Sequence, residues 1–240
     1  MIKTERLDKI VSNMGYGSRK EVKRYIKDGR VKVNDLVVLN NELKVDPHKD
    51  MIFFDDEKIN YRQFIYLMMN KPKGLVSSTD DPKSKTVIDI LTREYINYRP
   101  FPLGRLDKDT EGLLLISNDG KLAHELLSPK KKVNKTYYVE VDDYVGEEYI
   151  AEFQAGIVLD DGYKTLPSQL EIINSSAVSR LYLTIQEGKF HQVKRMFEAI
   201  GMKVLYLKRI SMGRLVLDQT LEPGQYRELS ENELNLLKNP

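Results

Sequence analysis

The spacing of apolar residues changes along this chain, and the change limits the folds that it can adopt. Before residue 30, apolar residues recur every three or four positions, which predicts amphipathic helices over residues 5–14 and 18–28. Ser18 and Glu21 form a capping-box pattern at the start of the second helix. After residue 60, the apolar residues instead form short runs of strand length. The chain is therefore predicted to be α+β, with a small helical part followed by a larger part rich in strands.

A predicted β-hairpin completes the small N-terminal part. Valine-rich runs at residues 31–33 and 37–39 flank Asn34-Asp35, a pair that tolerates the positive φ of a tight turn. A polar connection then separates this part from the apolar run FIYLMMN, which is predicted to be a buried strand. These features predict one domain over residues 1–60 and a second over residues 61–240. With 41% apolar residues, the larger domain has enough material for a sizeable core.

Positive charge is concentrated in the two predicted helices and the start of the hairpin. Between Lys3 and Lys32 there are ten lysines and arginines against four acidic residues, whereas the whole chain has 38 against 36. Such a cluster suits a phosphate backbone, because each neutralised phosphate releases condensed counterions. A helix face that is merely solvated is the alternative interpretation, since lysine-rich surfaces are common.

The composition excludes several kinds of chemistry. The chain has no cysteine, so disulfides, thiolate catalysis and cysteine-bound zinc are ruled out. Its three histidines, His48, His124 and His191, are too scattered to suggest a metal site. The first residues lack the apolar region of a secretory signal, and no apolar run approaches the length of a membrane span, so a soluble cytoplasmic protein is expected. Catalysis would have to use carboxylates, tyrosine, lysine, arginine or hydroxyl groups.

A polar loop with three acidic residues lies between two predicted strands. Asp107, Asp109, Glu111 and Gly112 match the start of an EF-hand loop, but Asn118 stands where that motif needs a bidentate glutamate, and a strand follows instead of a helix. Calcium binding is therefore excluded. A carboxylate pair for glycoside hydrolysis and a loop that is simply solvated both remain open, because the spacing alone supports neither.

The N-terminal sequence RLDKIVSNMGYGSRKEVKRYIKDGRVKVNDLVV resembles the S4 RNA-binding domain over residues 4–58. In that family, two helices and a hairpin place basic residues against structured RNA. The resemblance implies that the second helix and the loop before it face the RNA. Arg19, Lys20, Lys23 and Arg24 are accordingly the predicted RNA-binding residues of this domain.

The segment GRLDKDTEGLLLISNDG resembles the loop of the RsuA-type pseudouridine synthases, in which the aspartate of G-R-L-D is catalytic. The resemblance extends over residues 65–230, where the family's other motifs occur in the family's order: YLMMNKPKGLVSSTDDP before the loop, and KTYYVEV and LTIQEGKFHQVKRMFEAIG after it. It implies a mixed, largely antiparallel sheet with the active-site cleft across it. It also implies an isomerase that detaches uracil from C1′ and rejoins it through C5 without a cofactor or metal. Asp107 is the predicted catalytic residue, acting in its ionised form.

The same resemblance assigns roles to residues outside the loop. Lys194 is the expected ion-pair partner that keeps Asp107 ionised. Tyr137 is expected to stack on the extracted base and to assist deprotonation at C5, and its neighbour Tyr138 should point to the opposite face of the strand. Arg105 is expected to help the target nucleotide leave its stack. The predicted phosphate contacts of this domain are Lys131, within a run of three lysines, and Arg195.

The motifs STDDP and HQVKRMFEAIG resemble those of enzymes that modify small-subunit (16S) ribosomal RNA more than those of large-subunit enzymes. The expected partner is ribosomal RNA or an assembling small ribosomal subunit, with no membrane contact, and the protein is expected to be a monomer. Two alternatives remain: a large-subunit (23S) pseudouridine synthase, and a non-catalytic ribosome-assembly factor that uses only the S4 domain. Loss of the catalytic aspartate would favour the latter, and Asp107 is present.

Overall fold

A computed structural model describes residues 4–238 of the chain. The chain divides into two compact units, each with most of its residue contacts inside itself. The first extends to Ile65 and also contains Leu91–Pro100, and the second contains Tyr66–Ile90 and the chain from Phe101 onward. The sequence did not indicate that residues 91–100 return to the first unit. The boundary at residues 60 and 61 remains a prediction.

The first unit contains short helices and strands. In chain order its elements are β1 (Glu5–Arg6), α1 (Leu7–Asn13), α2 (Arg19–Lys27), β2 (Val31–Val33), β3 (Leu36–Val37), β4 (Lys44–Val45), β5 (Ile52–Phe54), β6 (Glu57–Lys58) and α3 (Arg93–Ile96). Within residues 4–238, β3, β2, β5 and β6 form a sheet of four strands in that order, and β1 pairs with β4. The two predicted helices and the hairpin are therefore confirmed, although α1 begins two residues later than predicted because Glu5–Arg6 pairs as a strand.

Local signals explain why these elements form. Ser18 accepts a hydrogen bond from the backbone amide of Glu21, and the Glu21 carboxylate accepts one from the backbone amide of Ser18, which completes the predicted capping box at α2. Asn34 and Asp35 have φ values of 50° and 66°, as the tight turn between β2 and β3 requires. The apolar faces of both helices pack into one core. Its fully buried members include Leu7, Ile10, Val11, Val22, Ile26 and Val31.

The second unit is built around one large sheet. In chain order its elements are β7 (Tyr66–Lys71), β8 (Phe101–Leu103), β9 (Glu111–Ser117), α4 (Gly120–Leu127), β10 (Lys135–Val141), α5 (Glu148–Ala155), β11 (Gln169–Asn174), β12 (Ser179–Ile185), α6 (Gln192–Glu198), β13 (Val204–Met212), β14 (Leu215–Val216), β15 (Tyr226–Glu228) and α7 (Glu231–Lys238). Within the described residues the sheet has nine strands in the order β11-β12-β10-β13-β9-β7-β15, with β14 beside β13 and β8 beside β9. The pairing of β13 with β9 is parallel and the other pairings are antiparallel, so the predicted mixed, largely antiparallel sheet is confirmed.

The two strands that flank β13 differ in burial. Six of the seven residues of β9 are buried, whereas buried and partly exposed residues alternate along β10. Gly112 has a φ of 99°, and a Cβ atom at this position would lie 2.2 Å from the carbonyl oxygen of Arg209. Glycine is therefore required where β9 and β13 meet.

Side chains cap the starts of two helices in this unit. Ser230 and Glu233 form a capping box at α7. At α4, the Asp119 carboxylate accepts hydrogen bonds from the amides of Lys121 and Leu122. In the range 4–238, no helix combines the length and apolar character needed to cross a membrane.

Candidate active site

A cavity of about 400 Å³ lies within the second unit, beside the polar loop that precedes β9. One wall is this loop, and the opposite wall comes from the segment between β12 and the start of α6. Tyr137 of β10 and Leu207 of β13 also line it. The residues along its two walls include Arg105, Leu106, Asp107, Lys108 and Thr110, and Gly188, Lys189, Phe190, His191, Gln192 and Val193. The cavity is thus formed by segments that are far apart in sequence.

A buried lysine holds the loop that carries Asp107 through hydrogen bonds to its backbone. Lys71, at the end of β7, has no exposed surface, and its ammonium group donates hydrogen bonds to the carbonyl oxygens of Asp107 at 3.1 Å and Thr110 at 2.9 Å. It also lies 3.0 Å from the carbonyl oxygen of Pro72 and 3.4 Å from that of Lys108. Burial lowers the pKa of Lys71 to about 8, against the opposing effect of the nearby carboxylates. One side chain therefore fixes the backbone on both sides of Asp107.

A buried serine provides a second attachment for this loop. The Ser77 hydroxyl accepts a hydrogen bond from the amide of Leu106 at 3.1 Å and donates one to its carbonyl oxygen at 2.9 Å. The amide of Thr110 donates to the carbonyl oxygen of Asp107, which closes a turn. With its backbone held at these points, the loop directs the Asp107 carboxylate toward the cavity.

The Asp107 carboxylate is partly buried and lies close to two basic side chains. Its side chain is 28% exposed, with the Lys194 Nζ atom 3.5 Å from Oδ2 and the His191 Nε2 atom 3.7 Å from Oδ1. The predicted ion pair between Asp107 and Lys194 is therefore present. The shorter contact of Lys194, however, is 2.6 Å to Asp109 Oδ1. Partial burial acts to raise the pKa of Asp109, but the hydrogen bond and charge of Lys194 outweigh it, and the net pKa is lowered.

The two neighbouring tyrosines of β10 point in opposite directions. Tyr137 is buried and lines the cavity. The Tyr138 hydroxyl donates to Glu140 at 2.7 Å, and its ring lies 6.0 Å from those of Tyr182 and Tyr206 on the other face of the sheet. The alternation of side chains along the strand therefore places Tyr137, and not Tyr138, beside Asp107 in the cavity.

The arginines predicted for this domain differ in their surroundings. Arg105 is exposed at the cavity and forms no ion pair with any residue between 4 and 238. Arg195, one residue after Lys194, is held away from the cavity lining by Asp160 and Asp161; its Nε atom lies 2.7 Å from Asp160, and its NH2 atom 2.7 Å from Asp161. These hydrogen bonds raise the pKa of Arg195. Lys131 is exposed in a short 3-10 turn after α4.

In the first unit, the predicted RNA-binding residues lie on one short helix. Arg19, Lys20, Lys23 and Arg24 are all exposed on α2. Arg19 lies 3.3 Å from the buried carboxylate of Asp8, and the other three form no ion pair within the described part of the chain. The arrangement leaves three cations of α2 without an ion pair.

Several residues of the second unit were not singled out from sequence. Lys71 and Ser77 hold the loop that carries Asp107, and the His191 ring lies close to the Asp107 carboxylate. The buried Gln192 donates to Glu187 at 2.7 Å and accepts from the amide of Lys189 at 2.9 Å, so it fixes the opposite wall. A lysine that ends an apolar strand was the one local signal for Lys71. Nothing in the local sequence distinguished the other three.

Comparison with known proteins agrees with this geometry. Residues 65–199 match the family model of the RNA pseudouridylate synthases, and residues 5–52 match that of the S4 domain. An uncharacterised RNA pseudouridine synthase of Bacillus subtilis is 52% identical, over 98% of this chain and 99% of its own length. The ribosomal small subunit pseudouridine synthase A of Vibrio cholerae is 42% identical, over 95% of this chain and 97% of its own.

Similarity extends to an enzyme named for the other ribosomal subunit and to a solved structure. The ribosomal large subunit pseudouridine synthase B of Bacillus subtilis is 38% identical, over 98% of this chain and 96% of its own. A crystal structure of a pseudouridylate synthase aligns with a TM-score of 0.68 and 38% identity, over 97% of this chain and 99% of that one. The loop before β9, strand β10 and the start of helix α6 meet at one cavity. By these similarities, this chain belongs to the RNA pseudouridine synthase family and carries an S4 domain before its catalytic domain.

Proposed function

We propose that this protein isomerises a uridine of ribosomal RNA to pseudouridine, with Asp107 as the catalytic group. The observation that carries the proposal is the position of the Asp107 carboxylate, which faces a cavity of about 400 Å³ also lined by Tyr137. A cavity of this size accommodates one nucleoside. The names of the ribosomal RNA pseudouridine synthases that resemble this chain support ribosomal RNA as the substrate.

The reaction breaks one bond and forms another at the same ribose carbon. The N1–C1′ bond breaks with its electrons leaving on uracil, the base rotates, and C5 forms the new bond to C1′. The C5 proton is then lost, and N1 gains a proton, so no redox partner is needed. Asp107 acts in its ionised form, either as the nucleophile at C1′ or as the base of a glycal route. Lys194 lies near this carboxylate and stabilises its negative charge, and the His191 Nε2 atom lies 3.7 Å from it.

The other site residues divide between holding the base and holding the strand. The Tyr137 ring stacks on the extracted uracil, and its hydroxyl assists loss of the C5 proton. Arg105, exposed at the cavity, enters the place that the flipped nucleotide leaves. Lys131 and the α2 residues Arg19, Lys20, Lys23 and Arg24 bind phosphates. Arg195 joins them only if its contacts with Asp160 and Asp161 open.

Small-subunit RNA is the first candidate for the substrate. The motif resemblance and the 42% identity to a small-subunit enzyme favour it, against 38% for a large-subunit enzyme. We further propose that the protein acts as a monomer in the cytoplasm, on naked 16S RNA or on an assembling small subunit. Mapping pseudouridine in both ribosomal RNAs from cells with and without this gene separates the alternatives. A site lost from 23S RNA would overturn the small-subunit assignment, and no lost site would favour a non-catalytic assembly role.

Release of tritium from RNA labelled at C5 of uridine tests the catalytic assignment. Asp107→Asn and Asp107→Ala should abolish release while RNA binding is retained, because only the carboxylate that acts on the ribose is removed. Asp160→Asn is the matched control, since it also removes one carboxylate but lies outside the cavity lining. Release by Asp107→Asn at the wild-type rate would exclude Asp107 as the catalytic group.

A further inference from the structure

Two stacked aromatic rings stand at the cavity wall opposite the catalytic loop. The rings of Phe190 and His191 are 3.8 Å apart between centroids and are inclined by 15°. Both residues line the cavity that contains Asp107. Phe190 is nevertheless 75% exposed, the highest value among the large apolar residues in the part of the chain that the structure describes. One face of its ring lies on His191, and the exposed surface is therefore mainly the other face.

The segment that presents these rings is tightly held. His191 has a φ of 48°, a left-handed conformation, directly before α6. Gln192 accepts from the amide of Lys189 and donates to Glu187. Glu187 also accepts from the Tyr163 hydroxyl at 2.6 Å. The exposed phenylalanine is thus placed by a network of partly buried hydrogen bonds, which is unlike an apolar residue on a loose surface loop.

The stacked pair lies next to the Asp107 carboxylate. His191 contacts both groups, because one face of its imidazole stacks on the Phe190 ring and its Nε2 atom lies 3.7 Å from Asp107 Oδ1. Two exposed cations, Arg105 and Lys108, line the same cavity on the loop side. An RNA strand with one base at Asp107 has its adjacent bases at the rim of the cavity, because consecutive nucleotides are covalently joined. Arg105 and Lys108 would place positive charge near the phosphates of that strand.

We propose that the open face of Phe190 stacks on a nucleobase immediately next to the target uridine in the RNA strand. This proposal rests on the proposed function. Aromatic side chains recognise unstacked bases in single-stranded regions by this contact, and the contact tolerates any base because each has a π face. Phe190 therefore contributes affinity for an unpaired strand and positions the neighbour of the target, while His191 supports the ring from behind. The contact does not itself read the base sequence.

Single-turnover kinetics with paired changes in protein and RNA test the contact. The probe is a short transcript that contains the uridine modified by the wild-type protein, with or without an abasic nucleotide on its 5′ or 3′ side. Phe190→Ala should raise the half-saturating RNA concentration by about 5-fold to 150-fold, the range expected for one base–aromatic stack. On the abasic RNA of the correct side, the same substitution should have little further effect. Phe190→Trp should restore binding to the intact RNA.

The matched control is Tyr144→Ala, which removes another exposed aromatic ring that does not line the cavity. It should leave the half-saturating concentration unchanged. Equal effects of Phe190→Ala on intact RNA and on both abasic RNAs would overturn the proposal and would point to a contact with another part of the RNA. No effect of Phe190→Ala on intact RNA would also overturn it, and would leave an accessory protein as the partner of this ring.

A fluorescence measurement separates failure of this proposal from failure of the proposed function. The probe here is a ribosomal RNA fragment chosen because the wild-type protein binds it, with 2-aminopurine beside the candidate uridine. Its fluorescence should be quenched on binding to the wild-type protein and to Asp107→Asn, but not to Phe190→Ala. Bound RNA without quenching at either flanking position overturns the stacking contact, even if the uridine is isomerised. Quenching without isomerisation by the wild-type protein supports the stacking contact and contradicts the proposed function instead.

Discussion

Two helices of this protein contain the same three residues and use them differently. Helix α2 in the first unit carries Val22-Lys23-Arg24, and helix α6 in the second carries Val193-Lys194-Arg195. In both, the valine is buried and two larger apolar residues follow the arginine. Lys23 and Arg24 are exposed and form no ion pair within residues 4–238. Lys194 and Arg195 are 18% and 15% exposed, and each contacts two carboxylates.

The difference shows that the role of a basic residue depends on the elements opposite its helix. Within residues 4–238, Lys20, Lys23 and Arg24 of α2 form no ion pair, so these three cations remain available to phosphates, whereas Arg19 contacts Asp8. At α6, the loop before β9 supplies Asp107 and Asp109 to Lys194, and the loop after α5 supplies Asp160 and Asp161 to Arg195. The same local sequence thus yields unpaired cations in one unit and cations paired with carboxylates in the other.

The largest effect on the reaction rate should come from replacing one of the two cations of α6, Lys194, and not the other, Arg195. Lys194→Met should lower the single-turnover rate by at least about 100-fold, because the reacting carboxylate of Asp107 loses the ammonium group that lies 3.5 Å from it. Arg195→Met should change the rate by less than about twofold, since its partners lie outside the cavity lining. The rates of tritium release at saturating RNA measure both. Equal losses would mean that both residues act at the site, and a higher half-saturating concentration for Arg195→Met alone would support its phosphate contact.

The buried Lys71 should affect the stability of the protein, unlike the exposed cations of α2. Lys71→Met should lower the free energy of unfolding by about 1–3 kcal/mol, because carbonyl groups of the catalytic loop lose their donor. The exposed Lys73→Met in the same motif is the control and should have almost no effect. Urea denaturation at pH 7 measures both changes. A stable Lys71→Met variant would show that the loop is held mainly by Ser77.

The stability of the protein should also depend on pH through Lys71. Burial lowers its pKa to about 8 from the ordinary 10.5, so between these values the unfolded chain binds more protons than the folded one. The free energy of unfolding therefore rises with pH across this window. Lys135, whose pKa burial also lowers to about 8, adds a second rise. Lys71→Met should remove one of the two contributions, and an unchanged slope from pH 8 to 10.5 would contradict the assigned pKa.

Charge reversal on α2 should weaken RNA binding by about tenfold near physiological salt. In the triple variant Lys20→Glu, Lys23→Glu and Arg24→Glu, three exposed cations become repulsive to phosphate. The slope of log affinity against log salt should fall by roughly two to three, because three counterion-releasing contacts are lost. The control reverses three other exposed lysines of the same unit, Lys44, Lys49 and Lys58. If both triple variants change the slope equally, the effect reflects net charge and not the α2 surface.

The smallest effect should come from the helix cap that orients the α2 surface. Ser18→Ala removes the hydroxyl of the capping box and should lower the free energy of unfolding by about 1 kcal/mol. Ser230→Ala at α7 should cost less, because Glu233 there remains bound to Arg227. Urea denaturation of both variants provides the comparison. A larger loss at Ser230 would mean that the α7 cap depends on the hydroxyl despite this second partner.

Much of the first unit could be predicted from sequence because its signals are local. The capping box at Ser18 and the turn at Asn34-Asp35 involve residues at most three positions apart, and both form as predicted. The start of α1 was predicted two residues too early, because Glu5–Arg6 pairs with Lys44–Val45, nearly forty positions away. Local patterns carry no information about such a partner.

The candidate site was predictable only where a family motif marked it. Asp107 and Lys194 were paired in advance from the motif resemblance, and the structure brings them within 3.5 Å. The contact of Lys194 with Asp109, the support of the loop by Lys71 and the approach of His191 to Asp107 were not anticipated. Each of these contacts joins segments that are separated by tens of residues.

The sequence by itself determined the family, the α+β class, the amphipathic helices and the basic character of α2, since these depend on residue type and on spacing over a few positions. Only the tertiary structure decided which of two identical Val-Lys-Arg segments stays free and which is paired. The physical reason is that the electrostatic environment of a side chain is set by groups within a few ångströms, and packing of the sheet brings those groups from distant parts of the chain.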